Sequence, residues 1–168
     1  MLLALPRVHR LEGGANGRQV EIYSRRLPAH SRLNHGVRYA WRGEATDEEL
    51  VELTLSYGGN AEAGWWDRIR PHSLGWVTAR EEDDGALVGF VNVAWDGGDH
   101  AVLLDTKTRR ERWRQGIGTE LVRIAAEQAK AAGCEWLHVD FDEHLASFYL
   151  DACGFVPTRA GLIHLPTA

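Results

Sequence analysis

Arg112 to Val122 reads RWRQGIGTELV. Gly116 and Gly118 stand two apart behind Arg109, Arg110, Arg112 and Arg114, and an amphipathic stretch follows at once. From Ile117 to Ala132 the residues Ile117, Leu121, Ile124, Ala125 and Gln128 share one helical stripe, and Gly133 fits the position just past a helix end. The run HAVLLDTKT before the arginines reads as a strand. A glycine loop therefore joins a strand to a helix start. The first amides of a helix have no partner, and the helix dipole makes that end positive. Gly116 and Gly118 carry no Cβ, so a bulky anion is expected to approach the main chain, with the arginines adding charge. Phosphate is the natural guest.

Three phosphate loops compete for this pattern. A nucleotide P-loop needs GxxxxGK[ST], and no lysine follows Gly118. A dinucleotide fingerprint, which would make the chain an NAD-dependent oxidoreductase, needs GxGxxG and an acid about 20 residues on. Asp140 lies near that distance, but Leu121 occupies the third glycine position, which disfavours this reading. The third is a resemblance. RWRQGIGTELV resembles the acetyl-coenzyme A loop, Q/R-x-x-G-x-G/A, of the GNAT N-acetyltransferases, and SFYLDACGF resembles their later motif, a tyrosine shortly before Gly-Phe. The similarity runs from Val37 to about Leu165. It departs at Trp113, where the family has Gln or Arg, and at Asp142, where it often has Asn.

The resemblance implies the GNAT acyl-CoA acyltransferase fold and an acetyl-CoA-dependent N-acetyltransferase, with acetyl-CoA as co-substrate and no metal. Its pyrophosphate would lie on the main chain of Arg114, Gln115, Gly116, Ile117, Gly118 and Thr119, near Asp142. The pantetheine arm would pair with Thr106, Lys107 and Thr108 like an added strand. An amine would then attack the thioester directly, a strand N–H would face the oxyanion, and Tyr149 would protonate the leaving thiolate. By spacing alone Tyr149 is equally a core residue, since it shares a stripe with Leu145 and Phe148. The family's usual acidic position falls at Val102, so His100, two residues earlier on the same face, is the favoured base, with Asp99 and Asp105 as alternatives. A coenzyme A-binding sensor without catalysis is the rival that the missing acid favours.

Other constellations carry less. His138, Asp140 and His144 are loosely spaced for a metal, and Cys153 has no evident base to activate it. Trp65 and Trp66 suit core anchors or the wall of an acceptor pocket. Acidic residues gather around the presumed thioester: Asp96, Asp99 and Asp105, then Asp140, Asp142 and Glu143. They point to a small cationic amine as acceptor.

The elements that must position these residues are legible in outline. VRYAW is a strand. TDEELVELTLSYGG has Thr46 and Glu49 in capping-box spacing and Leu50, Leu53 and Tyr57 on one face, which predicts a helix ending at Gly58-Gly59. NAEAGWWDRIRPHSL is a short helix or a loop. GWVTARE, ALVGFVNVAW and HAVLLDTKT form a meander with turns at EDDG and DGGD. EWLHVDF is a strand, EHLASFYLDACGF a helix, and FVPTRAGLIHL a short strand pair around Ala160-Gly161. The sum is a mixed α/β domain, α+β in character, with a mostly antiparallel sheet, a β-α-β cofactor unit and flanking helices. Residues 37–168 form the acetyltransferase domain. Residues 1–36 form an extension in which Asn16-Gly17 and RQVEIYSR suggest a strand pair.

The chain has 168 residues and a net charge of −5. That length suits one domain with a real core. That charge argues against a nucleic-acid partner, which calls for a basic face. MLLALP is cut short by Pro6, Arg7, His9 and Arg10, too soon for a signal peptide or a membrane span, so a cytoplasmic protein without a membrane partner is expected. Cys134 and Cys153 form no CxxC, and no disulfide is expected. A homodimer stays open.

Overall fold

Thr46 starts the first helix, α1 (Asp47–Ser56), with a complete capping box. The Glu49 N–H donates to Thr46 Oγ1 at 3.2 Å, and the Thr46 N–H donates to Glu49 Oε2 at 3.0 Å. Three acids in the first turn complement the helix dipole. The computed structural model describes residues 36–165, so the strand pair expected in residues 1–36 lies outside the described residues. Five strands make one sheet in the order β1-β2-β3-β4-β5: β1 (Val37–Trp41), β2 (Ser73–Glu81), β3 (Leu87–Trp95), β4 (His100–Thr108) and β5 (Trp136–Val139). The first four pair antiparallel, and β4–β5 is parallel. A parallel neighbour needs a crossover, which α3 (Ile117–Ala131) supplies.

Each face of the sheet is covered by a different helical layer. Ile117, Leu121 and Ala125 of α3 pack on Val77, Ala79, Val91, Val93, Ala101 and Leu103. On the other face Leu50 and Leu53 of α1 and Trp66 of α2 (Trp65–Ile69) close over Leu87 and Phe90. Strand β3 is therefore buried on both sides, and its sequence runs apolar without alternation.

Asp47 ties the two helices of this layer together. Its carboxylate, 9% exposed, accepts the Gly64 N–H and the Trp66 N–H, the latter at 2.9 Å, and so caps α2 from outside. Asp47→Ala strands both donors and is expected to cost about 2–3 kcal/mol, read as a lower urea midpoint with an unchanged slope. Loss of under 0.5 kcal/mol would show that α2 holds its place without this cap.

Strand β4 is irregular in two places. Phe90 pairs with Lys107 and Asn92 with Leu104, so Val91 alone faces both Asp105 and Thr106: β4 carries a bulge, with Asp105 at φ 53°. The parallel ladder with β5 spans only His100–Leu103 against Trp136–Val139. Beyond Leu103 the two strands part.

The C-terminal stretch departs from expectation twice. EHLASFYLDACGF is a 3-10 turn (Glu143–Leu145) and a π-helix (Ser147–Ala152) rather than one α-helix. The Cys153 N–H donates five residues back to Phe148 O at 2.9 Å, and the widened turn leaves Leu145 at the surface while burying Tyr149. The strand pair expected around Ala160-Gly161 does not form: residues 156–165 are exposed and without strand pairing. Pro157 has no N–H to donate, Thr158 to Gly161 offer no alternating apolar face, and β5 is too short to serve as a template.

Candidate active site

The bulge, the parting of β4 from β5 and the π-turn meet at one place. Tyr149, 6% exposed, stacks on Phe141 at 4.9 Å and meets Phe148 edge-on at 4.7 Å. Burial pushes its phenol above the usual value, and the neighbouring Thr106 side chain pulls it partly back. Tyr149 is thus both a core aromatic and a hydroxyl delivered to the residue where β4 has left β5. Beside it, burial pushes the Cys153 thiol up to about 12, against a hydrogen bond with Thr119, which leaves that sulfur protonated and unreactive at neutral pH.

The start of α3 is open. Its N-cap is Gly116 at φ 81°, and no side chain caps its first turn, in contrast to α1. Arg114 is also left-handed, at φ 62°. Such a backbone gathers N–H groups into an anion-binding concavity. The unclaimed amides of Ile117, Gly118 and Thr119 therefore fit a pyrophosphate. The arginines divide. Arg109 Nη2 lies 2.9 Å from Glu52, and Arg112 Nη1 lies 3.2 Å from Glu81, so both brace the protein rather than a ligand. Arg110 and Arg114 are exposed beside the cradle. Trp113 has a task of its own: its indole N–H donates to Thr108 O at 2.8 Å. That carbonyl is thereby taken, and the loop is pinned to the strand end.

Gly118 is under a second constraint, beside the one the sequence suggests. A Cβ there would stand 3.1 Å from Phe148 Cζ and 3.2 Å from Cε2, facing the aromatic cluster. Gly118→Val should overpack this contact, costing about 1–3 kcal/mol, and tilt Tyr149 through Phe148. Chemical denaturation reads the first effect and kcat the second. A variant within 0.5 kcal/mol of wild type would mean the ring moves away freely.

On the α1–α2 side of β4 lies a cavity of about 370 Å³, lined by Asn60, Ala61, Glu62, Trp65, Asp105 and Lys107. Lys107, 8% exposed, places Nζ 4.0 Å from the Trp65 ring centre and 3.8 Å from Asp105 Oδ1. Burial lowers the Lys107 ammonium's pKa and raises the Asp105 carboxyl's, and each partly restores the other. The two tryptophans divide as well: Trp66 is core and Trp65 is cavity wall. Asn60, Ala61 and Glu62 were not legible as site residues, because they sit in a loop far in sequence from Asp105 and Lys107 and carry no motif.

The remaining predicted residues lie elsewhere. His100 opens β4, its Nδ1 2.8 Å from His138 Nε2 on β5, with the rings stacked at 5.0 Å. Thr106 is six residues further on, roughly 20 Å at about 3.3 Å per residue. Val102 is exposed. Asp142 is exposed and starts the turn before the π-helix, its carbonyl accepting the Leu145 N–H at 2.8 Å. Among the described residues no group of three or more His, Cys, Asp or Glu is placed to hold a metal, and no helix is long and apolar enough to cross a membrane.

A parallel strand pair that parts after four residues, followed by an uncapped helix start, agrees with the acyltransferase fold that the sequence resemblance implies. The family model of the acetyltransferase (GNAT) family matches residues 38–155, and the chain belongs to that family. It is an acyltransferase of the class that takes its acetyl group from acetyl-CoA. No curated protein matches it in sequence. Among solved structures, the GNAT family protein SP0256 of Streptococcus pneumoniae is similar at a TM-score of 0.65 and 21% identity, over 77% of this chain and 98% of that one. Glucosamine-6-phosphate N-acetyltransferase of Arabidopsis thaliana is similar at 0.59 and 16%, over 76% and 98%. AAC(6')-Iy, in complex with the bisubstrate analogue CoA-S-monomethyl-acetylneamine, is similar at 0.61 and 14%, over 79% and 99%. At these identities the likeness is one of fold.

Proposed function

We propose that the protein moves the acetyl group of acetyl-CoA to a primary amine of a small, cationic acceptor by direct attack. The observation that carries this reading is the meeting of the buried Tyr149 with the Thr106 side chain, on the stretch of β4 beyond its ladder with β5. A phenol beside that stretch supports a role for Tyr149 as proton donor. The pyrophosphate would rest on the amides from Arg114, Gln115 and Gly116 to Ile117, Gly118 and Thr119, the pantetheine would follow Thr106 and Lys107, and the thioester would lie at the parting. Asp142, three residues beyond β5, would edge the phosphate side. A strand N–H there would meet the oxyanion. Tyr149 would give its proton to the thiolate, a transfer between groups of similar pKa.

The cavity across the bulge would receive the acceptor. Glu62 and Asp105 give it two carboxylates against the one ammonium of Lys107, and Trp65 offers an aromatic face. Both features favour a cation. AAC(6')-Iy, which shares the fold, holds an analogue that joins coenzyme A to an amine-bearing acceptor. His100 has no part in this reading, being at the far end of its strand. The test is thiol release from acetyl-CoA with cadaverine, spermidine and an aminoglycoside set against neutral and anionic amines. Cationic amines should react best, with KM rising as salt screens the cavity. Coenzyme A binding without release with any amine would leave a binding module, the alternative that Val102 in place of an acid favours.

A further inference from the structure

Resting on that reading, the acceptor's ammonium still has no base to take its proton: Val102 has no ionisable group, and His100 is roughly 20 Å from Thr106 along the strand at about 3.3 Å per residue. We propose that Asp105, the residue turned out by the β4 bulge, takes that proton, and that Lys107, set between Asp105 and the Trp65 ring, holds the carboxylate at the cavity.

The placement is specific. Asp105 directly precedes Thr106, so its carboxylate and the Tyr149 hydroxyl are anchored at adjacent positions of one strand. Asp105 sits at φ 53°, a left-handed conformation that an aspartate adopts only at a cost, and the bulge imposes it. Its side chain lines the cavity and is 33% exposed, open both to a bound amine and to the water that must carry the proton away. At 3.8 Å the Lys107 ammonium steers the carboxylate without occupying it closely. Three ionisable groups face Asp105: Lys107 on its own strand, Tyr57 at the end of α1, and Glu62 in the loop before α2. Burial pushes the Asp105 carboxyl above its ordinary range, which makes it a stronger base than a surface carboxylate, and the Lys107 ammonium limits the rise.

The protons balance. The ammonium gives one proton to Asp105, which passes it to solvent. The free amine forms the C–N bond, and the C–S bond breaks. The thiolate takes the Tyr149 proton, and the second proton shed by nitrogen returns through solvent to Tyr149. The products are the amide, coenzyme A thiol and one released proton. Lys107 is a positioning residue and touches none of these atoms.

Two acceptors separate a proton-taking role from a structural one. Cadaverine arrives as an ammonium, whereas O-methylhydroxylamine is already neutral at pH 7 and needs no base. In Asp105→Asn, kcat for cadaverine should fall by roughly 10²-fold or more. The rate with O-methylhydroxylamine and the calorimetric affinity for coenzyme A should each stay within about threefold on the same proton-transfer argument. In Lys107→Met, the acidic limb of kcat/KM for cadaverine should move to higher pH, because the neighbouring cation no longer favours the ionised carboxylate. Equal loss with both acceptors, an unchanged cadaverine rate, or an acidic limb that stays in place each overturns the assignment. A wild type that acetylates neither amine instead overturns the functional reading itself, and is seen before any variant is made.

Discussion

Tyr149→Phe should lower kcat by about 10²–10⁴-fold, a loss of roughly 3–5 kcal/mol from the transition state, while the affinity for coenzyme A stays within about threefold. The phenyl ring keeps its stacking on Phe141 and its edge contacts with Phe148 and Phe155. Only the hydroxyl beside Thr106 goes, which should cost the fold about 1 kcal/mol or less. Activity and stability are thus affected on very different scales, and a pre-steady-state assay of thiol release beside a thermal melt separates them. A kcat within threefold of wild type, with chemistry shown to limit the rate, would return Tyr149 to a purely packing role.

Trp66→Ala should be the most destabilising single change on the α1–α2 face, at about 3–5 kcal/mol. Trp66 is fully buried, and its ring meets Trp76 at 4.9 Å and Phe90 at 5.0 Å, both edge-on. Its removal opens a hole under α2 that the five-residue helix, held by Asp47, is too short to fill by sliding. Because α2 also carries Trp65, the cavity wall should go with it, and the KM for an acceptor amine should rise in any fraction that stays folded. Trp66→Phe should cost far less: the buried indole N–H has no acceptor, so its removal relieves a penalty while most of the packing remains. Guanidinium melts of the two variants test this, and equal losses would contradict it.

How much of the molecule is legible in its sequence depends on how local each cause is. The α1 boundary was legible to the residue because Thr46 and Glu49 cap within one turn. The meander was legible because Gly97 and the EDDG turn break three apolar runs, and the open start of α3 because glycines precede it. The bulge was not: nothing in HAVLLDTKT marks Asp105 as left-handed, since the conformation is imposed by the register against β3. Nor was the π-turn, whose apolar spacing fits an α-helix equally well. GLIHL has the composition of a strand but, among the described residues, pairs with none. The loop arginines looked alike in sequence, and only the fold brings Glu52 and Glu81 to two of them.

Parting β4 from β5 leaves the second half of β4 as a local edge, with a row of backbone donors and acceptors on its β5 side. In a protein waiting for its substrate, such a row is an invitation to any extended chain, including the edge strand of a neighbour, and is an aggregation hazard. The bulge answers it. By turning Asp105 out of line and setting a carboxylate and an ammonium side by side, it breaks the even repeat that an incoming polypeptide strand needs to zip along, and it burdens that strand with charge. A single narrow arm that forms only one or two bonds before ending is not hindered. On the proposed function, the same irregularity would also discriminate by the length of what is trying to bind, admitting a short tether and refusing a ladder.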